Sequence, residues 1–301
     1  MATRVPHQVA LHGYRDGRQH SAAGRPITMF TDFDVAAYTR AARGRIDVEQ
    51  ARVGVLPEDL RDDLSFLWRL DSAALSETRA LLASWTGNEA RITAFVATWA
   101  YERLWLSHAL RELLTSDGSE PPAPLGRPTV RARLRGWHVE RILPLTVPVW
   151  TNLVGESVVA GQMARLAVQE ASLQAACLAL AARADGEACR VLGVTAERRE
   201  TMIRFFQMEA SARISRSPQE ARMAGWHLGR HWRPFRVVGV ADPDEGRALA
   251  SIFREPSDRA RLERADAGLR RLLLERPTGF WGATTPSPGL LTRKGNSGVR
   301  P

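Results

Sequence analysis

The chain has 301 residues, 44% of them hydrophobic and 25% charged, a balance that suits a globular core and excludes a low-complexity polymer. Formal net charge is +9 and the pI about 10.8, but Lys294 is the only lysine, and arginine with alanine in such excess is the usage of a GC-rich genome. No nucleic-acid motif accompanies the charge, much of which lies in the two tails, so composition does not point to nucleic acid. No apolar run approaches the roughly 20 residues of a membrane span, and no apolar signal segment is visible at the N-terminus. The two cysteines, Cys177 and Cys189, make neither a zinc pattern nor a disulfide framework, which predicts a reducing, cytoplasmic setting.

Residues 1–28 are polar and predict a disordered tail. Met29 opens a lead-in, residues 29–56, with a short helix from Asp34 to Arg43; it is also a candidate start codon. Pro57, Glu58 and Asp59 suit a helix N-terminus, and predict a first long helix to about Ser84. Asn88 is a candidate cap for a second, over about 89–115. Pro121, Pro122, Pro124 and Pro128 then mark a connector long enough for a crossover. A basic helix is expected around 129–142, and a third long helix from Glu156 to Arg183. The fourth spans roughly 187–214, with a break at Gly193 and Thr195 as a cap. Ser217-Pro218-Gln219-Glu220 has the form of a capping box and starts a helix to about His231. Further helices start at Asp242 and Ser257, the latter ending near Glu275; residues 277–301 read as a flexible tail. The fold class is all-α, with four long helices as its frame and the helices of 237–276 added C-terminally.

Three of the long helices carry an acid inside an otherwise mostly apolar stripe at 3/4 spacing. On the first the stripe is Leu60, Leu64, Leu67, Asp71, Ala74, Thr78, Leu81; on the second Phe95, Trp99, Glu102, Leu106, Ala109. On the third it is Val159, Met163, Leu166, Glu170, Leu173, Cys177, Leu180. A carboxylate facing a core needs a metal, a cation or hydrogen-bond donors. Dimetal bundles also use Glu-x-x-His pairs, and this chain has none. His108 lies about 240° around the helix from Glu102, so the two do not clasp one ion. His227 and His231 share a face but lack the glutamate of a His-Glu-x-x-His zinc site. No P-loop, dinucleotide turn or nucleophile elbow is present.

Ile92-Thr93-Ala94-Phe95 with Trp99-Ala100-Tyr101-Glu102, then Val168-Gln169-Glu170, then Phe205-Phe206 with Leu228-Gly229-Arg230-His231-Trp232-Arg233-Pro234, resemble actinobacterial ferritin-like proteins over about residues 57–236. The resemblance implies a four-helix bundle around an iron or manganese pair. Its ligands would be a Glu on the first and third helices and a Glu-x-x-His on the second and fourth. Carried over, the first-helix acid falls on Asp71 and the third-helix acid on Glu170; the second-helix pair falls on Arg103 and Leu106, with Glu102 adjacent. The fourth-helix pair falls on Arg199 and Met202. Two acids are thus replaced by arginines and two histidines by apolar residues.

The reading this favours is a ferritin-like bundle without its metal pair. Asp71, Glu102 and Glu170 would be its ion-paired or acid/base groups, with Arg103 and Arg199 as cationic partners. No cofactor is expected. The cavity would bind a small apolar molecule or serve a cofactor-free step, and the family's range suggests secondary metabolism. An alternative keeps a diiron or dimanganese oxidase or hydroxylase site on Asp71, Glu102, Glu170 and Glu200, or Glu197 or Glu209 in place of the last. A third reading is a non-enzymatic interaction protein, such as a homodimer, with Trp68, Trp85, Trp137 and Trp150 as contact residues.

Overall fold

A computed structural model describes residues 12–15, 18–21, 31–122, 155–229 and 242–275. The basic helix expected at 129–142, Trp137, Trp150, His231 and the tail 277–301 lie outside the described residues. The fold is all-α. Its helices are α1 (Val35–Arg40), α2 (Glu58–Ser72), α3 (Ala74–Leu82), α4 (Ala90–Leu114), α5 (Ser157–Ala181), α6 (Gly186–Arg216), α7 (Pro218–Gly229), α8 (Asp242–Ile252) and α9 (Pro256–Leu274). A short antiparallel hairpin, β1 (His12–Arg15) and β2 (Arg18–Ser21), stands where the composition predicted no regular structure.

All seven residues of the first stripe, all five of the second and all seven of the third are buried. The first predicted helix is broken at Ala73 into α2 and α3. Next to the break, the Leu70 carbonyl accepts from Arg103 Nη2 at 2.9 Å, and Ser72 Oγ donates back to the Trp68 carbonyl at 2.8 Å. Such side-chain bonds compete with the helical ladder. At Gly193, by contrast, α6 is unbroken, and Thr195 is a fully buried interior residue rather than a cap. Asn88 ends a 3₁₀ turn, and Glu89 takes the cap position of α4. The expected capping box is half made: Ser217 Oγ accepts from Gln219 N–H, but Glu220 turns to Arg216.

Helix directions follow from which ends meet. Arg61 bonds Asp117 at one end of α2, and Asp71 meets Arg103 near the other, so α2 and α4 are antiparallel. Arg183 near the end of α5 reaches Asp59 and Asp63 at the start of α2, so these two are antiparallel as well. Helix α6 runs against both α4, through Arg213–Glu89, and α5, through Gln174 to the Ala196 carbonyl and Arg216–Glu156. Helices α4 and α5 are therefore parallel, and the chain between them must travel the length of the helices. The crossover that the proline-rich connector is long enough for is thus required. It starts along α2, where Ser65 Oγ and Arg69 Nη1 donate to the Pro122 carbonyl.

Helix α7 packs on α5 and α6. Its His227 ring lies in a notch made by Gly161; a Cβ there would sit 2.2 Å from His227 Cδ2. Burial, then the Arg165 charge, push His227 down to about 4. Between that value and the usual 6.5, the unfolded chain binds the proton more readily than the folded one. Stability tied to neutral His227 is therefore complete above the usual value and lost as pH falls toward the lower one. The urea midpoint should drop between about pH 7 and pH 4.5, and His227→Gln should flatten that drop. Gly161→Ala should lower the midpoint at both pH values.

Candidate functional site

Each of the four frame helices sends one charged residue to a common centre. Asp71 comes from α2, Arg103 from α4, Glu170 from α5 and Arg199 from α6. The Arg103, Glu170 and Arg199 residues are 0% exposed and Asp71 is 1% exposed, so every bond of the cluster forms away from water.

Arg199 bridges the two acids. Its Nη2 donates to both Asp71 oxygens at 2.6 Å, and its Nη1 to Glu170 Oε2 at 2.6 Å. Arg103 bridges them from the other side, with Nε to Asp71 Oδ1 at 2.9 Å and Nη1 to Glu170 Oε1 at 3.2 Å. Trp99, four residues before Arg103, donates Nε1 to Glu170 Oε1 at 2.9 Å, and its ring lies 5.2 Å from the Arg103 guanidinium carbon. Both carboxylates thus have both oxygens occupied by donors. Burial opposes the charge on Arg199, but Asp71 and Glu170 outweigh it and hold Arg199 above the ordinary arginine range. Arg103 is raised by Glu170 and Asp71 against the same opposition. Burial pushes the neighbouring Cys177 thiol up to about 11, so it is a neutral wall of the cluster.

A fifth member, Glu77, was not read from the sequence. In a straight helix it would lie about 240° around from Asp71. The break at Ala73 brings it to Arg103 Nη1 at 3.3 Å. Gln169 Nε2 donates to it at 2.9 Å and Arg165 Nη1 at 3.1 Å. Arg165 is 33% exposed along its side chain, so this arm leads from the cluster to solvent.

Glu102 is not part of the centre. One position before Arg103, it points about 100° away on α4. It accepts from the Tyr38 hydroxyl at 2.7 Å and from the Arg43 backbone N–H at 2.8 Å. Burial, then the Glu102 carboxylate, hold the Tyr38 hydroxyl above its usual range. The role of Glu102 is to fasten the lead-in to α4. Arg198 and Arg190 do the same from α6, bonding the Gly44 and Asp47 carbonyls.

The remaining acids of the alternative metal set are scattered. Glu200 is exposed on α6, Glu197 pairs with Arg43, and Glu209 is held by Thr31, Arg91 and Arg213. Among the described residues no three His, Cys, Asp or Glu side chains are grouped to hold a metal ion. Asp71 and Glu170 do face each other across the centre, but guanidinium groups fill the space a metal pair would need. The donor set therefore does not fit an iron or manganese pair. Trp68 and Trp85, expected as exposed contacts, are half-buried and packed on the core.

Comparison with protein-family models, with curated proteins and with solved structures returns no match.

Three variants test the cluster and the attachment of the lead-in. Arg199→Met leaves Asp71 and Glu170 sharing one guanidinium, and should cost about 3–5 kcal/mol in urea unfolding. Arg199→Met/Glu170→Leu keeps the neutral Asp71–Arg103 pair, so the double variant should regain most of that loss; a loss equal to the sum of the single variants would mean the charges act independently. Glu102→Ala should leave the Tyr38 hydroxyl without its acceptor, cost about 1–3 kcal/mol, and speed proteolytic cleavage within residues 31–56 while the helices persist.

Proposed function

We propose that this chain is a ferritin-like helical protein in which two arginines take the place of a metal pair, and that it works as a metal-independent, non-enzymatic binding protein. The observation that carries this reading is the occupancy of both acids. Each oxygen of Asp71 and Glu170 accepts from a guanidinium, an indole or both. A general base needs a lone pair free to take a proton from substrate, and a ligand needs one free for a metal. Using either acid would break a bond that keeps a buried charge neutralised.

The ferritin-like part of the proposal has separate support. Antiparallel pairs α2/α4 and α5/α6, joined by one long crossover, are the connectivity of ferritin-like bundles. The site positions follow the resemblance, with one residue per helix at 71, 103, 170 and 199. The positions matching its two histidines, Leu106 and Met202, are 0% exposed and apolar. The same occupancy argues against the oxygen-dependent oxidase and the cofactor-free catalyst considered from sequence.

Elemental mass spectrometry decides the matter. Tag-free protein expressed with iron and manganese should be helical, hold well under one metal per chain, and unfold at the same temperature with and without chelator. About two metals per chain, lost in Glu170→Ala, would overturn the proposal and restore the dimetal enzyme.

A further inference from the structure

A groove runs between α6 and α9. Met208 and Ser211 line one wall, Leu269 and Leu272 the other, and Asp32 sits at its edge. The last described residue of α9's C-terminal end, Glu275, also lines it. We propose that this groove is the docking site of the chain's own C-terminal segment, residues 276–301, anchored by Phe280 and Trp281.

Three observations carry this independently of the function proposed above. The first is reach. Phe280 lies five residues past Glu275, a span of up to about 17 Å of extended chain, whereas Met208 to Ser215 on α6 covers only about 10 Å. Tethering also gives the segment a millimolar-scale effective concentration at the groove.

The second is charge. Of the chain's 42 Lys/Arg and 33 Asp/Glu, the stretches 31–122, 155–229 and 242–275 hold 26 and 31, a net of −5, leaving 16 and 2 for the rest. A GC-rich codon bias favours arginine over lysine but does not strip acids from those remaining residues. The C-terminal segment contributes Arg276, Arg293, Lys294 and Arg300 and no acid, opposite in sign to the helical body and to Asp32 and Glu275, which line the groove together with one cation, Arg271. The third is shape and polarity. The half-buried Met208 and Leu272, with the buried Leu269, make an apolar strip, and the only aromatic residues of the segment are the adjacent Phe280 and Trp281.

The test is fluorine NMR of the full chain labelled with 5-fluorotryptophan, with the Trp281 signal identified by its loss in Trp281→Phe. The expected result is a Trp281 signal displaced from that of a free 276–301 peptide, unchanged on tenfold dilution. It should return to the peptide position in Ser211→Arg and, separately, in Met208→Glu, with helicity retained in both. A wild-type signal at the peptide position would overturn the proposal. A displacement that disappears on dilution would assign the groove to a second copy, and one that survives both groove variants would place Trp281 elsewhere; either result also overturns it.

Discussion

A carboxylate taken out of water loses hydration worth several kcal/mol even after the protein relaxes. Asp71 and Glu170 meet that cost through Arg103 and Arg199, which themselves would be unstable in the interior without the acids. The four residues come from four helices, so the full set of bonds forms only when all four helices are in register. Apolar packing around the cluster is far less selective. Leu, Val and Ala side chains along α5 tolerate a small slide, whereas a guanidinium 2.6 Å from two carboxylates does not.

Neighbouring features follow from the same requirement. Arg103 uses its remaining donor on the Leu70 carbonyl, beside the place where α2 gives way to α3. That change of direction presents Glu77 to Arg103, and Glu77 in turn draws in Gln169 and Arg165. About 100° around α4, Glu102 holds the lead-in, and Phe33 and Tyr38 pack against the Phe95 and Phe205 rings. Interior charge, helix break and N-terminal strap are linked through two consecutive residues of one helix, Glu102 and Arg103.

Much of this was legible in the sequence, and what was not has identifiable causes. The stripes around Asp71 and Glu170 were readable because helical spacing repeats over many residues and errors average out. Arg103 and Arg199 were legible only through resemblance, since arginine on a helix normally signals a solvent face. Glu102 misled because it fits the stripe: burial is common to residues facing the centre and residues facing α1, and periodicity does not separate the two. Glu77 was hidden by the break at Ala73, beside which the Leu70 carbonyl bonds Arg103, 33 residues away, and Ser72 bonds back to Trp68. Gly193 suggested the opposite error, a local helix breaker that tertiary packing overrides.

The pairing of acids and arginines also divides along the chain. Helices α2 and α4 carry one of each, Asp71 and Arg103, and so do α5 and α6, Glu170 and Arg199. At the centre each antiparallel half therefore holds an acid and a base that can pair before the halves meet, whereas the second cation of Glu77, Arg165, comes from α5. During synthesis the N-terminal half emerges first, with its own acid already answered by its own base. Docking of the two halves then adds a partner to each pair and brings Arg165 to Glu77. A chain whose two acids lay in one half and two arginines in the other would have to bring together two like-charged hairpins, each stable only in the presence of the other.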